Sequence, residues 1–327
     1  MSKITVLGTG GWGIALALLA NSCGHSVSMW SAFSDEIDNL KSIRKNDKLL
    51  PGIVIPDEID LSDDISVAKD SDITVIAVPS VAVDSVATAL SAVERHGIVV
   101  NVAKGFDPKT NLRLSSVIGE KLPDSRVVVL SGPSHAEEVS RGIPTSVVAA
   151  SNSLVAAQIV QDMLSNDSFR IYTSDDVVGV ELGGSLKNVI AVCAGISDGL
   201  KLGDNTKAAL ITRGLAEMTR LGVILGANER TFSGLAGIGD LVVTCTSAHS
   251  RNNRFGNLVG SGVDVDEALR RVGTVEGYFA AKIVHKLSKK YRVELPLMNE
   301  CYNVLYKKRD VKRVVVSLMT RPKHSEY

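Results

Sequence analysis

Short, uninterrupted apolar runs alternate with helical periodicity through the first half of the chain. Residues 3–7, 26–30, 72–78, 97–102, 126–130 and 146–150 are such runs, rich in Val and Ile. They are apolar at successive positions rather than at every second one, which is the pattern of parallel strands covered on both faces. Residues 13–23 and 83–95 carry helical spacing between them. Strand and helix in series predict a doubly wound α/β sheet.

From about Glu181 the pattern changes to long helical segments with almost no strand signal. The best are 182–196, 206–221, 264–271, 278–291 and 296–308. Asp264 suits an N-cap and Pro296 a first helical turn. The reading is two domains, 1–178 α/β and 179–327 all-helical, without internal repeats or low-complexity tracts.

Composition narrows the class. The chain has 327 residues, 45% of them hydrophobic and 22% charged, enough for two cored domains. Lys plus Arg number 36 and Asp plus Glu 36, so the basic excess of a nucleic-acid binder is missing. A basic stretch at 286–313 lacks the aromatic interleaving of a nucleic-acid surface and reads as a solvated helical face. Four cysteines (Cys23, Cys193, Cys245, Cys301), none spaced C-x-x-C, point to a reduced, cytoplasmic protein without a cysteine metal site. Residues 4–24 carry no charge, but their continuous apolar part is only 14–20 and glycines surround it. That is too short for a membrane span, and no other stretch is expected to span.

Gly8-Thr9-Gly10-Gly11-Trp12-Gly13 is G-x-G-x-x-G directly after a predicted strand and opening a predicted helix. That context is the one in which the motif binds dinucleotides. Gly8 permits the turn, Gly10 lets backbone approach a diphosphate, and Gly13 allows helix and strand to pack closely. The helix start offers free N–H groups to the phosphates. An NAD site often has an acid at the end of the second strand, and an NADP site an arginine. Residues 30–34 (Trp-Ser-Ala-Phe-Ser) have neither. Ser31 or Ser34 is left to bond a phosphate, and the expectation leans to NADPH with NADH also accepted.

Two further loops follow predicted strands, Asn101-Val102-Ala103-Lys104-Gly105-Phe106 and Ser131-Gly132-Pro133-Ser134-His135-Ala136. Ligands bind at the carboxyl ends of such strands, where Lys104 can polarise a carbonyl or pair with a phosphate. Lys187 stands inside an otherwise apolar helix, a costly position unless the lysine is paired or functional. Burial lowers a lysine pKa toward the range of general acid–base work. Asp240, in a glycine-rich apolar setting, can orient it. Ser250-Arg251-Asn252-Asn253-Arg254 gathers phosphate-binding groups. His135 and His249 beside these motifs read as hydrogen-bonded structural histidines.

Together these motifs resemble the bacterial glycerol-3-phosphate dehydrogenase [NAD(P)+] family. GTGGWG at 8–13, NVAKGF at 101–106, SGPSHAEEV at 131–139, ELGGSLKNVIAV at 181–192, GLAGIGDLVVTC at 234–245, SRNNRFG at 250–256 and VEGYFAAK at 275–282 occur in family order. The resemblance implies a Rossmann-type first domain and a second like the C-terminal domain of 6-phosphogluconate dehydrogenase. It implies reduction of dihydroxyacetone phosphate to sn-glycerol 3-phosphate with NAD(P)H, for phospholipid synthesis, in a cytoplasmic homodimer that needs no metal and binds neither nucleic acid nor membrane. Lys187 matches the proton donor. Lys104, Gly132, Ser134, Asp240, Ser250, Arg251 and Asn252 match substrate contacts. Gly11, Trp12, Lys104, Ala136, Arg251 and Glu276 match cofactor contacts. Ala32 and Thr274 also fall at cofactor-contact positions, Ala32 where the family often has His or a basic residue and Thr274 where it has an apolar one. Dehydrogenases of the 3-hydroxyisobutyrate or 6-phosphogluconate type carry K-x-x-x-N on this helix, whereas Asn188 follows Lys187 directly. A non-catalytic dinucleotide sensor is the alternative from another class; it has no need of the lysine and phosphate groups that are all present here.

Overall fold

The computed structural model describes residues 1–93, 97–323 and 325. The first domain contains strands β1 (Lys3–Leu7), β2 (Ser26–Trp30), β3 (Asp60–Ser62), β4 (Ile73–Ile76), β5 (Ile98–Asn101), β6 (Arg126–Ser131), β7 (Thr145–Ala150) and β8 (Phe169–Ser174). Helices α1 (Gly11–Ser22), α2 (Ser34–Ile43), α3 (Val83–Leu90), α4 (Leu114–Lys121), α5 (Ala136–Val139) and α6 (Leu154–Leu164) connect them. The end of the predicted 83–95 helix lies outside the described residues.

The sheet order is β3-β2-β1-β4-β5-β6-β7-β8. β1 to β6 are mutually parallel, as the continuous apolar runs predict. β7 departs from that expectation and runs antiparallel to β6. The link between them holds only the one-turn α5, too little for a crossover helix, so the chain turns back. β3 and β8 were not predicted. β3 has three residues, and β8 alternates buried and exposed positions, as an edge strand does. One apolar cluster covers a face of the sheet with α1 and α6, and a second covers the other face with α3 and α4.

Gly8 (φ +125°) and Gly13 set the contact between β1 and α1. A Cβ on Gly13 would overlap the carbonyl oxygen of Gly8. Gly13→Ala must push α1 off the sheet, and the overlap is expected to cost about 1–3 kcal/mol. Urea unfolding checks this; an unchanged midpoint would refute the backbone-contact argument.

The second domain is helical: α7 (Val177–Gly199), α8 (Asp204–Ile224), α9 (Asp240–Thr246), α10 (Arg251–Gly260), α11 (Val265–Val272), α12 (Glu276–Tyr291), α13 (Pro296–Lys307) and α14 (Val311–Met319). Asp264 caps α11 and Pro296 opens α13, as expected. α7 is the axis of this domain. It is long and apolar enough to cross a membrane, against the expectation that no other stretch is long enough to span. Yet 89% of its most apolar stretch is buried within the fold, where Leu182, Leu186, Val189 and Ile190 form the core. Each such side chain contributes about 1.5–3 kcal/mol by leaving water. α7 and α10 meet backbone to backbone. A Cβ on Gly195 or Gly199 would strike Asn253 or Asn257 of α10, and one on Gly256 or Gly260 would strike Val192 or Ile196 of α7.

Glu217 of α8 is buried, and its two carboxylate oxygens accept from the N–H groups of Leu297 and Met298 in the first turn of α13. Burial raises its pKa from 4.5 to about 7. The folded state therefore holds this proton more tightly than the unfolded chain. The stabilisation is complete below about pH 4.5 and is lost as pH rises through 7, on the order of 3 kcal/mol in all. Thermal midpoints from pH 5 to 8 should show this slope in the wild type and a flatter one in Glu217→Gln. Equal slopes would remove Glu217 as its source.

Candidate active site

The loops after β1, β5 and β6 emerge on one edge of the sheet, and those after β5 and β6 face α7. α1 begins at Gly11 with Gly10 as N-cap and no side chain on its free N–H groups. A Cβ on Gly10 would meet nothing within 4 Å, so the space before the helix is open. A Cβ on Gly11 would lie 3.7 Å from the Cβ of Ala136, the first residue of α5. An open helix start floored by glycine backbone fits a dinucleotide diphosphate. Gly8, Gly10, Gly11, Trp12, Gly13 and Ala136 would hold it. Ala32 lies exposed just past β2.

Lys187 projects from α7 to Asp240 at the start of α9. Its ammonium bonds Asp240 Oδ1 and donates to Thr244 Oγ1 at 2.7 Å. Lys104 reaches the other oxygen of the same carboxylate: its Nζ donates to Asp240 Oδ2 at 2.7 Å and to the Gly132 carbonyl at 3.0 Å. Asp240 is 1% exposed, so one buried carboxylate holds two lysines from different domains. Two glycines make this approach feasible. A Cβ on Gly184 would fall 2.6 Å from Ser131 Oγ and 3.4 Å from the Lys104 side chain. A Cβ on Gly183 would overlap Ala236 in the π-turn (Leu235–Gly239) that leads into Asp240.

Burial lowers the Lys187 pKa from 10.5 to about 7, with Asp240 opposing the shift and Lys104 reinforcing it. Its proton is thus poised for transfer near neutral pH.

A hydrogen-bonded chain lines the adjoining wall. Asn188 Nδ2 donates to the Lys104 carbonyl (3.4 Å), Asn252 Nδ2 to Asn188 Oδ1 (2.9 Å), and the Gly277 N–H to Asn252 Oδ1 (2.9 Å). Ser250 is the N-cap of α10 and accepts from Asn253 N, and Arg251 opens the helix with its side chain exposed. Ser134 Oγ donates to the Gly132 carbonyl at 3.0 Å.

Glu276 opens α12 and crosses to the first domain, accepting from Ser80 N (3.0 Å) and Ser80 Oγ (2.5 Å). Burial raises its pKa, opposed first by the Ser80 hydrogen bonds and then by the Arg251 charge. Thr274 lies two residues before, half-buried.

The histidines differ from the expectation. His135 Nε2 is buried with no partner among the described residues, and burial followed by the Lys187 charge lowers its pKa. His249 is half exposed, with Nδ1 3.8 Å from Glu137. Neither ring is locked as a hydrogen-bonded structural histidine would be.

Sequence reasoning passed over Thr244, Ser80 and the Arg113–Ser115–Glu181 cluster. Thr244 is one helical turn after Asp240, a spacing that signals a shared face. Glu181 is buried and accepts from Ser115 N (2.8 Å), Ser115 Oγ (2.5 Å) and Arg113 Nη1 (2.9 Å), which ties α7 to the start of α4.

Fold and cleft define a class, a two-domain dehydrogenase that works with a nicotinamide dinucleotide. D-mandelate dehydrogenase, 11% identical with a TM-score of 0.64 over 94% of this chain and 97% of that one, shares the fold. The particular family follows from closer matches. Family models for the N- and C-termini of NAD-dependent glycerol-3-phosphate dehydrogenase match residues 3–157 and 176–316. Glycerol-3-phosphate dehydrogenase [NAD(P)+] of Thermoanaerobacter sp. is 51% identical over 99% of this chain and 98% of its own. That of Desulfitobacterium hafniense is 47% identical over 100% and 93%. The crystal structure of the Coxiella burnetii glycerol-3-phosphate dehydrogenase superimposes with a TM-score of 0.94 at 39% identity, covering 98% of this chain and 99% of that one. The chain belongs to the NAD-dependent glycerol-3-phosphate dehydrogenase family.

Proposed function

We propose that this chain reduces dihydroxyacetone phosphate to sn-glycerol 3-phosphate, reversibly, with Lys187 as the proton carrier. The observation that carries the assignment is the buried Lys187 ammonium held between Asp240 and Thr244, with its pKa near 7. Reduced nicotinamide supplies the hydride when bound. Lys187 gives its Nζ proton to the alkoxide oxygen that develops from the ketone, and takes it back in the reverse direction. Lys104 and Asn188 polarise the carbonyl from the sides. Ser250, Arg251 and Asn252 hold the phosphate, and that remote binding energy orients the reacting carbon. Gly132 and Ser134 line the first-domain side, and Glu276 and Thr274 lie at the cofactor end of α12.

The division at 178/179 would make the first domain the cofactor carrier and the second the substrate domain. Four unbridged cysteines support a cytoplasmic setting. Adjacent exposed Val223 and Ile224 on α8, with Val316 and Met319 on α14, support a homodimer through the second domain. Light scattering would read twice the chain mass.

The test follows absorbance at 340 nm with dihydroxyacetone phosphate and NADH or NADPH. Oxidation of either supports the assignment. No oxidation by folded protein that binds the cofactor rejects the substrate.

A further inference from the structure

We propose that Glu36, held in place by Ser31, is a specificity-determining residue that selects a free ribose 2′-hydroxyl and hence NADH over NADPH. This rests on the dinucleotide-dependent reading of the glycine loop. Ser31 directly follows β2, and its N–H is fixed on the Ser62 carbonyl at 3.2 Å. Its hydroxyl is not left to bond a phosphate, as the sequence suggested. It donates to Glu36 Oε2 at 2.6 Å. A carboxylate from the first turn of α2 is thereby folded back to the end of the second strand. That is where an acid accepts the ribose hydroxyls in sheets of this type. The expected acid is absent from residues 30–34 but is supplied from position 36. Ser31 occupies one carboxylate oxygen and leaves the other to accept a hydroxyl.

The surroundings disfavour a 2′-phosphate. Ala32 and Phe33, the latter 70% exposed, offer no hydrogen-bonding side chain, and residues 31–36 contain no lysine or arginine. Asp63 lies against Ser34, whose hydroxyl holds its carboxyl below the usual range, with Lys41 and Asp64 as the charges acting on it. Asp64 adds to the same acidic rim. A phosphate of nearly two negative charges placed here meets several carboxylates, the single ammonium of Lys41 and no guanidinium fork. NADH is therefore expected where the missing acid alone leaned to NADPH.

The test is equilibrium binding without substrate, read by tryptophan fluorescence, with NADH and NADPH, and with ADP-ribose and its 2′-phosphate. The wild type should bind NADH at least about tenfold more tightly. Glu36→Gln and Ser31→Ala should bring the ratio to about threefold or less, and Ala32→Arg should raise NADPH affinity. Thermal midpoints identify any variant that fails to fold. NADPH bound as tightly as NADH by the wild type, or a ratio unmoved by Glu36→Gln, overturns the proposal. Binding of neither dinucleotide by folded wild type overturns the underlying reading instead.

Discussion

Lys187→Ala should lower turnover with dihydroxyacetone phosphate by about 10³- to 10⁴-fold while the protein stays folded. General acid–base groups contribute about 10²–10⁴, and this residue also orders Asp240 and Thr244. The pH profile gives the sharper test. On the proposed mechanism reduction needs Lys187 protonated, so its rate should fall as pH rises through about 7. Oxidation of glycerol 3-phosphate needs it neutral, so that rate should climb over the same interval. A Lys187→Ala enzyme with full turnover, or two reaction directions with the same pH limb, would remove lysine from the proton-transfer step.

Asp240→Asn is expected to have the next largest effect, and on two observables at once. The carboxylate is buried and pairs with both Lys187 and Lys104. Removing one partner of a buried pair leaves uncompensated charge and costs about 3–5 kcal/mol. Asp240 also raises the Lys187 pKa against its burial. Without it that pKa falls further, and the acid-dependent limb of the reduction moves below pH 7. Turnover at neutral pH should drop about 10²-fold as the lysine loses both its proton and its orientation. Denaturation midpoints and the pH profile together check this. A destabilised variant with an unshifted limb would make Asp240 a packing residue only.

The strands legible in the sequence are those whose faces are both covered. β1, β2, β4, β5, β6 and β7 read as apolar runs because both of their faces are covered. β3 and β8 escaped because edge strands need only one apolar face. Lys187 was legible because a lone charge in an apolar helix has few explanations. Its partnership with Lys104 was not. Asp240 joins the two lysines across 136 and 53 positions of chain, and that joining depends on how the domains meet. Ser80 and Glu276, 196 residues apart, were hidden for the same reason. The Ser31–Glu36 hydrogen bond was not legible because a fixed window at the end of β2 ignores a side chain folded back from the next helix.

The bare backbone contact between α7 and α10 sets a length. Lys187 stands on one of these helices and Arg251 and Asn252 on the other. With no side chains between the helices at Gly195, Gly199, Gly256 and Gly260, they have no room to slide or tilt. On the proposed assignment, the distance from proton donor to phosphate clamp is therefore fixed like the jaws of a locked caliper. A keto-phosphate with one more carbon between carbonyl and phosphate cannot be met by adjusting those jaws. Chain-length discrimination would then reside in four glycines, none of which touches the substrate.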